Sequence, residues 1–335
     1  ALERGSGGVR TALGNAAVDG SSGVSSRGFA SFETNRLFAP DVLDIEDLWQ
    51  WESLGSGVSK TKPFTLEGLD ASSAETARLV VYLQGGSDAV SVVDHHVQVL
   101  VNGALVAEKS FDGAVPHRME TDVPVSLLAA SNELRVLNVG DTGVSSRVFL
   151  DRFDVLYPQV TAARSGAFDG VFSVSGTAEV AGIASPAALL DLTAGAWLTG
   201  YEAGPSLRFR AETGHRYLAV SPEAVLAPRV FFPEPSARLR STQNQADYVL
   251  VAPRAFLDAA QPLLDRRQAQ GLTTFAASLE EIASSFGGGQ PSAQAIRDFL
   301  SFAYHQWRRP SPRYVLLLGD ANHDPRRFNP ASQPS

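Results

Sequence analysis

Asp94, His95 and His96 stand in a row in the first third of the chain. One carboxylate and two imidazoles are side chains that bind a metal ion or hold a sugar, so the three are a candidate ligand set. Adjacent residues in a strand point to opposite faces, which makes one shared site awkward. A hydrogen-bonded role within a sheet is the plainer reading. A second set lies near the end. Asp320, Asn322 and Asp324 place oxygen ligands at alternate positions, as the start of a calcium loop does. The pattern then departs, with Pro325 where the tight turn needs Gly and Ala331 where a bidentate Glu belongs. A loop in which Asp320 caps local amides is the competing reading. Calcium is therefore the one candidate cofactor, and it rests on a broken motif.

Other chemistry is excluded more firmly. The chain has no cysteine, so it holds no disulfide, thiolate metal site or cysteine nucleophile. No Gly-rich loop ends in Lys-Ser or Lys-Thr, no His-Glu-x-x-His occurs, and no Gly-x-Ser-x-Gly occurs. Phosphoryl transfer, zinc proteolysis and serine hydrolysis at a nucleophile elbow lack their signatures. The formal charge of −8 argues against gripping nucleic acid, which needs a basic surface. No apolar run approaches the roughly 18 residues that span a bilayer. The pairs Arg266-Arg267, Arg308-Arg309 and Arg326-Arg327 read as solvated helix and loop charge. Trp49, Trp51 and Trp197 read as core or interface rings sooner than as a sugar platform.

The elements that would position these residues fall into two grammars. Residues 1–35 are rich in Gly, Ser and Ala and read as a flexible arm, since they bury too little to offset their ordering entropy. From 36 to 160 the chain reads as an antiparallel β-sandwich of jelly-roll type. Leu79–Leu83, Val97–Val101, Ala104–Glu108, Leu134–Leu137 and Val148–Tyr157 are its strands, with Asn102-Gly103 as a hairpin turn and a further turn at Ser131-Asn132. Residues 161–240 read as a second β module or an extension of the sandwich, and 232–236 as an exit linker.

The grammar changes at Asp247. Tyr248-Val249-Leu250-Val251 is a continuous apolar run, as in a parallel strand covered on both faces. A helix with an awkward Pro262 follows, then a strand at Leu272–Ala276 and a short helix at Leu279–Phe286. Ala295, Ile296, Phe299, Leu300, Ala303, Tyr304 and Trp307 recur at steps of three and four and predict one amphipathic helix. Tyr314–Leu318 is a third buried strand. This order predicts a doubly wound α/β domain over 246–335. Three strands would leave an apolar edge bare, so the domain is expected to be incomplete. The chain begins at Ala1 and reads as a processed product or fragment.

Ala246–Val251, Leu263–Leu272, Ala295–Leu300 with Trp307, and Tyr314-Val315-Leu316-Leu317-Leu318-Gly319-Asp320 together resemble the gingipain-like C25 cysteine peptidases. Asp94-His95-His96-Val97, Val101-Asn102-Gly103 and Leu150-Asp151-Arg152-Phe153 to Tyr157-Pro158 are similar to the β region that precedes the catalytic domain in such proteins. The resemblance spans roughly residues 35–330. It implies a β-sandwich module followed by the first part of a caspase-like α/β domain, in a secreted or surface-exposed bacterial endopeptidase acting on protein or peptide. It also implies a His/Cys dyad later than the Leu-Gly-Asp strand, so no catalytic residue is expected in this chain, and His323 is not the dyad histidine. The remainder of the peptidase domain is the partner expected, Arg326-Arg327 is a plausible maturation loop, and Ser335 would lie at or near a processing end. A sortase-like transpeptidase on the same fold is one alternative. A non-enzymatic glycan- or protein-binding module is another.

Overall fold

Asn102 and Gly103 adopt φ of 49° and 86°, the left-handed pair that a two-residue hairpin requires. They join strands His95–Val101 and Ala104–Phe111. From this hairpin a four-stranded antiparallel sheet grows in the order Ala104–Phe111, His95–Val101, Ser131–Asn138, Ser59–Thr65. It faces the antiparallel strands Ser26–Glu33, Arg147–Pro158, Thr76–Gly85 and Pro116–Pro124, with Glu52–Gly55 paired to Arg147–Pro158. Alternate residues fill the space between the sheets. Leu79, Val81, Leu83, Phe153 and Val155 come from one side, and Val97, Val99, Leu134, Val136 and Phe64 from the other. This is the sandwich that the sequence predicts.

The computed structural model describes residues 12–40, 42, 43, 45, 47–90, 93–227 and 237–320. The chain divides into two compact units between Leu226 and Ala227. Within the first unit the larger sheet does not stop at the first sandwich. It continues from Ser26–Glu33 through Ala167–Phe172, Arg216–Val220, Ala188–Asp191, Ala196–Thr199 and Ala12–Asn15, making ten strands with Glu52–Gly55. A three-stranded sheet of Ser206–Ala211, Gly176–Ala181 and Gly23–Val24 packs over this extension. Phe168, Phe172 and Tyr217 meet Val180, Leu207 and Phe209 in a second core. Residues 161–226 are thus a second sandwich built on the sheet of the first.

Two expectations are corrected. The flexible arm expected over 1–35 is, in its described part, largely strand. Ser26–Glu33 is a central strand hydrogen-bonded to Arg147–Pro158 and Ala167–Phe172. Its glycine content has a packing cause, because a Cβ on Gly28 would lie 2.5 Å from the Tyr157 ring. The turn expected at Ser131-Asn132 is the start of a strand, and the chain reverses before it through a 3₁₀ turn at Val125–Leu127. The Asn132 side chain closes that reversal by accepting from Ala129 N at 2.8 Å and donating to its carbonyl at 2.6 Å. The linker expected at 232–236 lies outside the described residues.

In the second unit three parallel strands lie in the order Thr274–Ser278, Tyr248–Ala252, Tyr314–Leu317. The central strand alternates between two cores. Val249 and Val251 pack with Ile282, Ala295, Phe299 and Trp307 of the helices Leu279–Phe286 and Ala293–Gln306. Tyr248, Leu250 and Ala252 pack with Ala260 and Leu264 of helix Leu257–Ala269 on the opposite face. Burial on both faces is why this strand reads as an unbroken apolar run. Pro262 is the sixth of the thirteen residues of helix Leu257–Ala269, which runs on through it. The strand expected at 272–276 is displaced to Thr274–Ser278.

Candidate functional site

Asp94, His95 and His96 begin one strand edge but serve three separate sets of partners. The buried Asp94 carboxylate accepts from Ala89 N at 2.9 and 3.0 Å and from Gly113 N at 3.3 Å, so it ties down two loop segments. His95 is fully buried, with Nδ1 2.8 Å from Ser146 Oγ and its ring against Phe111. His96 points the other way. Its Nδ1 lies 2.7 Å from Asp141 and its Nε2 2.8 Å from Glu108. Asp141 first, and Glu108 with it, raise the His96 pKa above its ordinary value. An imidazolium held between two carboxylates is a structural cation and a poor metal ligand. The period of the strand therefore separates the two rings.

Asp320 is described and stands directly after Gly319, whose φ of 144° is a backbone conformation that side-chain-bearing residues rarely adopt. Asn322, His323, Asp324 and the Arg326-Arg327 pair lie outside the described residues. Trp51 packs into the first core on Phe153, Trp49 lies against Phe38, and Trp197 is 43% exposed on Ala196–Thr199. Arg267 lies over the Tyr248 ring, and Arg309 donates to Ser311 Oγ.

Two carboxylate groupings that no local motif announces are brought together by the fold. Asp88, Asp94 and Asp112 converge beside the His95–Val101 strand, and Glu33, Asp47 and Asp151 converge at the edge of the first sandwich. In the second grouping burial pushes the Asp151 carboxyl up to about 6. Arg152 opposes that shift, and the negative charges of Glu33 and Asp47 add to it. Sequence spacing hides this group, since its members are separated by 14 and 104 positions.

The carboxyl ends of parallel strands are where α/β sheets place their sites. Here those ends are firmly built. Ser278 caps helix Leu279–Phe286 in a capping box with Glu281. Arg238 grips the Glu281 carboxylate at 2.8 and 3.2 Å and, as the main cause, draws its pKa down to about 2. Arg254 N donates to Glu280 at 3.1 Å, closing the turn after the central strand. These side chains are occupied in capping and turn closure. The chain supplies no thiol to this edge.

The lateral edge of the sheet is different. Tyr314–Leu317 pairs on one side with Tyr248–Ala252, and among the described residues no strand pairs with its other side. Val315 is 44% exposed and Leu317 60% exposed. An apolar strand with a bare hydrogen-bonding edge is one that native proteins cover.

That edge belongs to a segment with known counterparts. Residues 241–332 match Peptidase family C25. The dimeric latent PorU of Porphyromonas gingivalis shares the fold over 97% of this chain, with a TM-score of 0.68 and 20% identity. This chain covers 33% of the PorU chain, about a third of its length. The resemblance to gingipain-like C25 peptidases thus has a counterpart in both sequence model and fold. The CBM36-1 domain of a multidomain xylanase from the hindgut metagenome of Trinervitermes trinervoides aligns over 39% of this chain and 89% of its own. Its TM-score of 0.26 and identity of 10% are too low to establish a shared fold. No curated protein matches the sequence. No helix among the described residues is long and apolar enough to cross a membrane.

Proposed function

We propose that this chain is the N-terminal portion of a secreted bacterial gingipain-like cysteine endopeptidase, and that it scaffolds a His/Cys dyad carried by polypeptide beyond residue 335. In such an enzyme a thiolate attacks the peptide carbonyl and the histidine moves the protons. The residues of this chain do neither. Their part is to hold the first half of the sheet rigid, with Val249 and Val251 locked on one face and Leu250 on the other. The remainder of the peptidase domain then adds to that sheet, and protein or peptide is the substrate class.

The observation that carries this reading is the Tyr314–Leu317 edge, unpaired on one side among the described residues, within a segment that matches Peptidase family C25 while the chain has no cysteine. Peptidase assays on residues 1–335 and on the protein extended through the downstream reading frame test it. The extended protein is expected to cleave casein and to lose that activity on treatment with iodoacetamide, while residues 1–335 alone cleave nothing. Cleavage by the short chain, or activity of the long one that survives alkylation, would refute the reading.

A further inference from the structure

We propose that Glu33, Asp47 and Asp151, together with the side-chain oxygens of Asn35 and Gln50, form a Ca²⁺ site at the edge of the first sandwich. Glu33 ends the Ser26–Glu33 strand, Asp47 precedes Trp49–Gln50, and Asp151 lies in Arg147–Pro158. One carboxylate oxygen from each lies within 4.8 Å of the other two. Three like charges so close repel one another unless a cation sits between them.

The backbone is shaped to bring them there. Pairing between Arg147–Pro158 and Thr76–Gly85 shifts register between Leu150 and Arg152, which leaves Asp151 as the extra residue of a bulge. Bulges of this kind re-aim a side chain. Arg152 Nη1 holds Asp151 Oδ2 at 2.8 Å, and Oδ1 is buried without a hydrogen-bond partner.

The unpartnered atoms supply the independent argument. Gln50 is only 2% exposed, yet its Oε1 has no hydrogen-bond partner, and Asn35 Oδ1 is likewise buried and unpartnered. The Gln50 Nε2 donates to Asp47 O at 3.3 Å, which fixes which end of the amide is oxygen. Arg36 N donates to Gln50 O, and Trp51 N donates to Leu150 O. The Gln50 side chain is therefore enclosed among the three segments that carry the carboxylates. Here three buried acceptors, Asp151 Oδ1, Gln50 Oε1 and Asn35 Oδ1, lack donors beside three clustered carboxylates. A buried oxygen left unpaired is costly, and a cation held at this edge would offer these oxygens a partner. A set of five oxygen donors with no nitrogen or sulfur suits a hard ion of flexible coordination, which is Ca²⁺.

Trp49 and Trp51 flank the site and give it a spectroscopic handle. Residues 1–335, stripped with EDTA, are titrated with Tb³⁺ while tryptophan is excited, and the Tm is measured with EDTA, Ca²⁺ or Mg²⁺. We expect saturable sensitised Tb³⁺ emission that Ca²⁺ displaces and Mg²⁺ does not, and a Tm raised by Ca²⁺. Asp151→Asn and Glu33→Gln should each weaken Ca²⁺ binding about tenfold or more, since charge count sets the affinity of such sites. Their Tm in EDTA should equal or exceed that of the parent, because a repelling charge is gone. Glu33 is exposed, so Glu33→Gln reads the site even if Asp151→Asn fails to fold. Absence of a Ca²⁺-dependent Tm shift at about 1 mM, within the range of extracellular modules, would overturn the proposal. So would Ca²⁺ affinity left unchanged by Glu33→Gln, which would place the ion elsewhere, for instance at Asp88, Asp94 and Asp112.

Discussion

Replacing Glu52 by Gln should damage the first sandwich more than removing the lysine it pairs with. The Glu52 carboxylate is 9% exposed and carries Lys62 Nζ at 2.5 Å, Arg36 at 3.2 Å and Lys60 at 3.4 Å. Lys62 is itself 10% exposed and lies 4.5 Å above the Trp51 ring, which stacks on Phe153. Breaking a buried pair by removing one partner costs about 3–5 kcal/mol, because a charge is left behind without its counterion. In Glu52→Gln the stranded charge is the Lys62 ammonium. It keeps a cation–π contact worth about 1 kcal/mol and can withdraw along its stem, so a loss of about 2–4 kcal/mol is expected. In Lys62→Met the methylene packing on Trp51 survives and Glu52 retains Lys60 and Arg36. The expected loss there is about 1–2 kcal/mol. Guanidinium unfolding followed by tryptophan fluorescence, with the double variant completing the cycle, reads both values. The pH dependence provides a second test. Burial raises the Glu52 pKa, but the Lys62 hydrogen bond and the charges of Lys62, Lys60 and Arg36 more than offset it, leaving the value below the ordinary range. A carboxyl depressed by folding contributes stability above its unfolded pKa and loses it as pH falls through the folded value. Glu52→Gln should flatten that acid limb. A cost for Lys62→Met equal to or larger than that for Glu52→Gln would refute the reasoning.

Three further substitutions test a helix cap and two charge pairings. Ser278→Ala removes the N-cap of helix Leu279–Phe286 and should cost about 1 kcal/mol in thermal unfolding. Glu281→Gln in the same capping box should remove a stabilisation that is complete above the unfolded carboxylate pKa and fades as pH falls towards about 2. An unchanged acid limb in Glu281→Gln would contradict the Arg238 pairing. His96→Gln should act with the opposite sign. Asp141 and Glu108 raise the His96 pKa, so its contribution is complete below the unfolded imidazole pKa and is lost as pH rises through the folded value. The Tm difference between parent and His96→Gln should therefore shrink between pH 5.5, below the ordinary imidazole pKa of about 6.5, and pH 8.5; a constant difference would refute the pairing.

The α/β unit was legible because its signals are local. Tyr248–Ala252 is buried on both faces and so is apolar throughout, and Ala293–Gln306 carries one stripe that becomes one buried face. The sandwich was legible where a turn residue or alternation was strong, as at Asn102-Gly103. It was illegible at Ser59–Thr65, whose sequence Ser-Lys-Thr-Lys-Pro-Phe-Thr sets Lys62 and Phe64 on the buried face. A lysine whose charge is answered by a distant glutamate reads as surface until the fold supplies the partner. Ser26–Glu33 failed for a related reason, since Gly28 is small to admit the Tyr157 ring and not to loosen the chain. The site residues divide the same way. Asp94, His95 and His96 were conspicuous because they are adjacent, and adjacency in a strand is what sends them to different partners. Glu33, Asp47 and Asp151 are not legible as a group, because only pairing between distant strands assembles them. The local signal is the charged pair Asp151-Arg152, which follows the buried run Val148-Phe149-Leu150 and breaks the alternation of the strand.

Hydrogen exchange at the outer strand of the α/β sheet tests most directly whether that sheet is half of a larger one. Tyr314 N donates to Asp247 O and Leu318 N to Val251 O. The alternation of a parallel pair then points the Val315 and Leu317 amides away from the central strand. In residues 1–335 these two amides should exchange rapidly while Leu316 and Leu318 are protected. In the protein extended past residue 335, Val315 and Leu317 should become protected to the level of Leu250. Rapid exchange at both positions in the extended protein would mean that no further strand joins this edge, and the peptidase scaffold would lose its basis.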